Sequence, residues 1–211
     1  MTLLIKNGTV VSPTGAFAAD VLVDGEFIVG LLQPGSALAG VDLAASAERV
    51  IDATGMYVVP GGIDVHTHMQ LPFGGTEASD TFESGTRAAA WGGTTTIVDF
   101  AVQRQGESVF DGLAAWHAKA EGQCAIDYAF HQIIGGVDDA SLEAIANLTE
   151  HEGITSFKLF MAYAGVFFSD DGQILRAMQV AQKVGAVIMM HAENGLAIDV
   201  LAAQEDRKSV V

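Results

Sequence analysis

Apolar and polar positions follow two different rhythms along this chain, and the change falls near residue 60. Before it, short β-branched and apolar runs alternate with turn residues. Leu3-Leu4-Ile5 and Thr9-Val10-Val11 flank Lys6-Asn7-Gly8, while Asp20-Val21-Leu22-Val23 and Phe27-Ile28-Val29 flank Asp24-Gly25-Glu26. Asn-Gly and Asp-Gly between such runs are hairpin signals, so both triplets predict tight turns. Arg49-Val50-Ile51-Asp52 and Tyr57-Val58-Val59 add two further strands. Residues 1–59 are therefore expected to form a small antiparallel sheet. They hold no polar cluster that suggests chemistry, so the expected role is structural, with a ligand-binding sandwich as the alternative.

After residue 60 the pattern becomes strand, loop, helix, repeated. Strands are expected at Ile63–His68, Thr94–Phe100, Ala125–Ile134, Ser156–Phe160 and Val187–His191. Helices are expected at Asp80–Trp91 (capped by Thr81 or Asp80), Val109–Ala120, Ser141–Glu150, Gly172–Val184 and from Gly195 to about Gln204. Near-continuous apolar strands alternating with helices indicate a parallel sheet covered on both faces. An open doubly wound sheet would give the same pattern. Candidate chemical residues recur at the carboxyl ends of several strands, which favours an α/β fold of the TIM-type (β/α)8 barrel class. Residues 60–205 would then be about its first five βα units.

Composition narrows the partners. Half of the 211 residues are hydrophobic and 17% are charged, which suits a globular core. The formal charge of −16 argues against nucleic acid and anionic membranes as partners. A single cysteine, Cys124, rules out an internal disulfide framework and fits a reducing cytoplasm. The opening Met-Thr-Leu-Leu-Ile-Lys-Asn-Gly turns polar too soon for a signal peptide, and no apolar run reaches the ~20 residues of a membrane span. A soluble, acidic, intracellular protein is expected.

The sharpest chemical signal is His66-Thr67-His68 at the end of an apolar run. Alternate strand residues share a side, so both imidazoles would project together and could hold one metal ion. A pair of polar residues at a strand end is the competing reading. Lys158 lies within an apolar strand, where desolvation lowers an amine's pKa. A neutral amine reacts with CO2 to give a carbamate, an anion that two metals can share. A lysine paired with a nearby carboxylate is the alternative. His191 closes Val-Ile-Met-Met-His, where a satisfied core histidine is also a reading. His131, His117 and His151 are given no metal role. Asp99 is either a ligand or, as favoured, a hydrogen-bond acceptor behind the ligands.

Five motifs in order sharpen these readings: Gly61-Gly-Ile-Asp-Val-His-Thr-His-Met-Gln70, Pro72-Phe-Gly-Gly-Thr76, Gly92-Gly-Thr-Thr-Thr-Ile-Val-Asp-Phe100, Ser156-Phe-Lys-Leu-Phe-Met-Ala-Tyr163 and His191-Ala-Glu-Asn194. Together they resemble the dihydropyrimidinase/D-hydantoinase family of the amidohydrolase superfamily, over residues 3 to about 204. The resemblance implies two zinc ions. His66 and His68 would bind the more buried one, an N6-carboxylated Lys158 would bridge the pair, and His191 would bind the second. Tyr163 would be catalytic, hydrogen-bonding the substrate and stabilising its oxyanion. Leu71, Phe73, Phe160 and Phe167 would surround the substrate's exocyclic group. A zinc-activated hydroxide would open dihydropyrimidine or hydantoin rings to N-carbamoyl amino acids. Carbamate, aspartate and hydroxide would bring the formal charge of such a site to about +1, whereas a cationic lysine would be repelled.

Some hydantoinases carry Asp where this chain has Gln70, and Met69-Gln70 looks more like dihydropyrimidinases, so the ring substrate stays open. Ala164 replaces a lysine common after that tyrosine. The resemblance further implies that a later histidine ligand, the catalytic aspartate, three barrel strands and the strands completing an N-terminal β-sandwich fall beyond residue 211. Asp206-Arg-Lys-Ser-Val-Val211 fits the family poorly and reads like translated sequencing adapter, so residues 206–211 are expected to be a non-native tail. The chain is thus expected to be an inactive front part of a protein that is a homotetramer when full-length. Other readings are an allantoinase- or dihydroorotase-like amidohydrolase, or a non-catalytic scaffold like the collapsin-response mediator proteins.

Overall fold

The computed structural model describes residues 1–36, 40 and 42–208. The chain divides into two compact units, Met1–Pro60 and Gly61–Val211. In the first, strands β1 (Thr2–Ser12), β2 (Gly15–Asp24), β3 (Phe27–Leu32), β4 (Arg49–Asp52) and β5 (Tyr57–Val58) form one sheet in the order β3-β2-β1-β4, with β5 also on β1; the short helix α1 (Leu43–Ser46) precedes β4. The turn at Gly25-Glu26 joins β2 and β3 as the sequence predicts, with Gly25 at φ 60°.

Two expectations for this unit need correction. Lys6-Asn7-Gly8 is not a hairpin turn: β1 runs straight through it, with a register shift between Ile5 and Gly8. Asn-Gly tolerates positive φ, and Asn7, at φ 63°, uses that freedom for a bulge instead. The Asn7 backbone N–H donates to Asp20 Oδ1 at 2.7 Å and its side-chain Nδ2 to Asp52 Oδ1 at 3.1 Å, which pins the bulge. The hairpin falls later, between Ser12 and Gly15. The sheet is also mixed, because β4 and β5 pair parallel with β1. The described residues of this unit form one sheet around a small cluster of Val10, Ala19 and Val21.

The second unit holds β6 (Gly62–Thr67), the short hairpin β7–β8 (Pro72–Phe73, Thr76–Glu77), α2 (Phe82–Trp91), β9 (Thr94–Val102), α3 (Val109–Ala120), β10 (Asp127–Ile133), α4 (Asp139–His151), β11 (Ser156–Phe160), α5 (Asp171–Val184), β12 (Val187–His191) and α6 (Gly195–Lys208). The expected tail enters this description only through Lys208, where it continues α6; residues 209–211 lie outside it. The helix starts are written in the sequence. Thr81 with Ser84 and Asp170 with Gln173 form capping boxes, and Ser108 and Asp138 accept from the first turns of α3 and α4.

All five strands of the large sheet are parallel, in the order β6-β9-β10-β11-β12. That order has no point of reversal, which a doubly wound sheet would show. It is the arrangement of successive βα units in part of a (β/α) barrel. Phe82, Ile97, Phe130, Ile145, Leu148 and Phe157 anchor the core. Among the described residues no helix is long and apolar enough to cross a membrane.

One packing constraint gives a test with an unusual sign. A Cβ at Gly112, in α3, would lie 2.7 Å from the Val102 carbonyl oxygen and 3.1 Å from Gln103 Cα. In an open helix Gly→Ala stabilises by about 1 kcal/mol. Here Gly112→Ala should destabilise by about 1–3 kcal/mol, since backbone must move. Urea denaturation of the two chains measures it, and a higher midpoint for the variant would refute the close approach.

Candidate metal centre

The site begins with an irregularity in β6. Its pairing with β9 steps from Asp64–Ile97 to Thr67–Asp99, so two residues of β6, Val65 and His66, face one residue of β9. Such bulges re-aim side chains. The His66 N–H released by the bulge donates to Asp64 Oδ1 at 3.0 Å. The rings of His66 and His68 lie 5.2 Å apart and nearly perpendicular, and both rest on Phe100, at 4.7 and 5.0 Å between centroids. Thr67 turns the other way, and its hydroxyl donates to Asp99 Oδ2 at 2.8 Å.

Asp99 is fully buried and anchors the turn that follows the histidines. It also accepts from the Met69 N–H at 2.8 Å and from Trp116 Nε1 at 3.1 Å. Burial pushes its carboxyl above the ordinary value, against the pull of these donors. With its oxygens committed in this way, Asp99 acts behind the cavity, as favoured from the sequence. Lys119 adds a second anchor on the same turn, donating to the Gln70 carbonyl at 3.0 Å.

Lys158, on β11, is 8% exposed. Its Nζ sits 4.6 Å from the Phe100 ring centre and 5.2 Å from that of Phe160. None of the ion pairs among the described residues includes it. The carboxylate-paired lysine is therefore not what the fold builds. Burial pushes the amine below its ordinary value, with no anion to restore it. On the neighbouring strand, His191 is paired with Phe160. Its Nε2 meets Glu193 Oε2 at 3.1 Å and the Tyr163 hydroxyl at 3.4 Å, so a metal at that nitrogen would have to displace Glu193. Tyr163 itself is held at φ 64°, and its carbonyl accepts from the N–H groups of Val166, Phe167 and Phe168. Left-handed backbone at a bulky residue is strain of the kind that concentrates at functional sites.

These side chains converge. A cavity of about 380 Å³ is lined by His66, His68, Leu71, Phe73, Ile133, Lys158, Phe160, Tyr163, Phe167 and His191. Every site residue predicted from sequence is in it. Ile133 is the one lining residue that sequence reading missed, and nothing distinguishes it from other apolar strand residues. The aromatic wall is continuous: Phe73 lies 5.5 Å from Tyr163 and 6.4 Å from Phe167, which stacks on Phe160 at 5.0 Å. A larger cavity of about 700 Å³ at the starts of α5 and α6 contains none of the candidate ligands. His117 and His151 also stand outside the smaller cavity.

Two features fit these residues to a metal. His68 Nδ1 is buried with no hydrogen-bond partner among the described residues, which is costly for a polar atom unless something else binds it. Burial first, then the charges of His66 and Lys158, lower His68 to about 4, so it is neutral near pH 7, the form that ligates. The set is also incomplete: among the described residues no three His, Cys, Asp or Glu side chains come close enough to hold an ion by themselves. A carboxylate placed on Lys158, whose strand lies between those bearing the two histidine groups, would join them.

The amidohydrolase family model matches residues 57–209. The chain belongs to the amidohydrolase family. Among relatives, it is 60% identical over 201 residues to a D-hydantoinase of Streptomyces coelicolor, covering 95% of this chain and 42% of that one. With a dihydropyrimidinase of Rattus norvegicus the identity is 39%, covering 92% and 37%. The crystal structure of a dihydropyrimidinase from Brevibacillus agri superposes with a TM-score of 0.91 at 46% identity, over 99% of this chain and 43% of that one. The resemblance read from the five motifs is borne out. The chain spans about two fifths of the length of the relatives it matches.

For this amidohydrolase chain free of metal, the His68 ring should titrate near pH 4, below the ordinary 6.5. Between these values the unfolded chain binds more protons than the folded one. Folding stability contributed by His68 is therefore present above about 6.5 and is lost as pH falls towards 4. NMR titration of the imidazole checks it, and a midpoint at 6.5 or higher would contradict the burial described.

Proposed function

We propose that this chain carries the first part of the active site of a zinc-dependent cyclic amidase that opens dihydropyrimidine or hydantoin rings to N-carbamoyl amino acids. One observation carries the reading. The cavity joins a histidine pair, a buried lysine that forms no ion pair among the described residues, a third histidine and a tyrosine hydroxyl under an aromatic wall. His66 and His68 hold one zinc and His191 contributes to a second. Lys158, desolvated and in no ion pair among the described residues, would add its neutral amine to CO2, releasing a proton to solvent, and the resulting carbamate would supply anionic oxygen ligands. When bound, the two metals supply Lewis acidity and lower the pKa of a bound water towards neutrality.

The chain's own residues position the ring. The Tyr163 hydroxyl donates to the amide carbonyl oxygen as it gains negative charge. Leu71, Phe73, Phe160 and Phe167 enclose the exocyclic substituent and keep water from it. A further histidine and the aspartate that moves the proton to the leaving nitrogen come from outside these 211 residues, so we assign activity to a polypeptide of the relatives' length. The small β-rich unit is part of a sandwich in this reading. The protein acts in the cytoplasm on a small neutral substrate, which the single Cys124 and the net charge of −16 support. Assembly as a homotetramer rests on the resemblance alone.

The test compares this chain with one extended to the relatives' length, measuring zinc and the hydrolysis of dihydrouracil and hydantoin. The extended protein should hold about two zinc ions per chain and open a ring. Lys158→Ala should lose both properties. Tyr163→Phe should keep the metal and lower kcat about 10²- to 10³-fold. Retained metal with no ring opening would leave the family and remove the substrate assignment, while full kcat in Tyr163→Phe would remove the role given to that hydroxyl.

A further inference from the structure

His131 lies outside the cavity and is not a candidate ligand, yet its ring is bonded at both nitrogens. Nε2 is 3.0 Å from the Val65 carbonyl oxygen on β6, and Nδ1 is 2.5 Å from Ser156 Oγ on β11. The ring reaches across β9, where it packs on Phe100 at 4.8 Å between centroids. Both end points matter. Val65 sits in the β6 bulge, where regular pairing with β9 lapses, and is the residue before His66. Its carbonyl therefore needs an acceptor's partner from elsewhere. Ser156 lies two residues before Lys158, on the same side of β11 by strand alternation.

We propose that His131 is a positioning residue: its imidazole ties the bulged Val65 carbonyl to the Ser156 hydroxyl, and so sets the spacing between the histidine pair and Lys158. The inference rests on reading those three residues as metal ligands. The bonding follows from elementary chemistry. A carbonyl oxygen only accepts, so Nε2 carries the ring proton. Nδ1 of the neutral ring then accepts from the Ser156 hydroxyl. Burial lowers the proton affinity of the ring, which keeps it neutral. The bulge frees two backbone groups, the His66 N–H and the Val65 carbonyl. Asp64 takes the first and His131 the second. Asp64 is local to β6, whereas His131 links β6 to β11, across the sheet. Partners that orient ligands in this way commonly change metal affinity without touching the ion.

The test uses the chain extended to the relatives' length and its His131→Phe, His131→Gln and Ser156→Ala variants. Apoprotein is titrated with Co2+, read by visible absorption, and thermal midpoints of the apoproteins are recorded alongside. His131→Phe keeps a ring against Phe100 but loses both bonds, and should weaken cobalt binding about 10- to 100-fold. His131→Gln can still donate to the Val65 carbonyl and should recover part of that loss. Ser156→Ala removes one end of the tether and should fall between; it serves where His131→Phe does not fold. In the parent chain, ¹⁵N NMR should show His131 as the Nε2–H tautomer. Cobalt affinity unchanged in His131→Phe, or equal losses in the Phe and Gln variants, would overturn the proposal. So would an Nδ1–H tautomer or a tautomer mixture. If the parent chain takes up no cobalt, the ligand reading fails instead, and the tether stands or falls on the ¹⁵N spectrum.

Discussion

One phenyl ring organises the chemistry of this chain. Phe100, almost fully buried on β9, is the floor on which His66, His68, His131 and the Lys158 amine all rest, each within 5.0 Å of its ring centre. Such a floor does two things at once. It fixes four polar groups by close packing, and it removes water from one side of each. Desolvation disfavours the charged forms of His68, His131 and Lys158, and all three are pushed down. Position and protonation state thus have a common cause. A polar side chain in place of Phe100 would loosen the geometry and return charge to the groups that need to be neutral.

The residue before it does the opposite task on the opposite face. Strand alternation sends Asp99 away from Phe100 and towards α3, where Trp116 donates to it. From there Asp99 gathers the Thr67 hydroxyl and the Met69 N–H. One strand therefore holds the His66-Thr67-His68 segment from both sides, with an apolar surface under the imidazoles and a carboxylate behind the residues between and after them. The β6 bulge belongs to the same arrangement. It breaks regular pairing where the histidines must turn into the cavity, and side chains take over the backbone groups it frees.

Much of this was legible in the sequence because it depends on short-range rules. Period-two alternation placed His66 and His68 together, capping residues such as Thr81, Asp138 and Asp170 marked helix starts, and a lysine in the apolar run 156–160 announced an unusual environment. The failures also have a physical reason. Asn7-Gly8 advertises positive φ, but a hairpin and a bulge both use it, and only the continuation of β1 against β2 distinguishes them. The bulge in β6 leaves no mark in composition. The contact of His131 with Val65 spans 66 residues, and no local pattern encodes it. Lys158 offered two readings, and only the absence of an ion pair to it among the described residues separates them.

The distribution of charge gives the last constraint on the site. The chain carries 26 acidic residues against 10 basic ones, yet among the described residues no carboxylate lines the cavity that holds the candidate ligands. Asp99 is committed to its three donors, and Glu193 is engaged with His191 from outside the lining. Cations placed among these imidazoles and phenyl rings need countercharge, since a low-dielectric site makes an unmatched charge costly. In the proposed reading the anion is made in place, on the Lys158 amine, which is buried, pushed below its ordinary value and in no ion pair among the described residues. An acidic residue at 158 would supply a charge with no such chemistry, but its side chain is shorter than a carboxylated lysine and would not reach as far from β11. A lysine whose reaction product is an extended anion meets both demands. Its Nζ lies over the rings of Phe100 and Phe160, and once carboxylated it would provide the bridging charge.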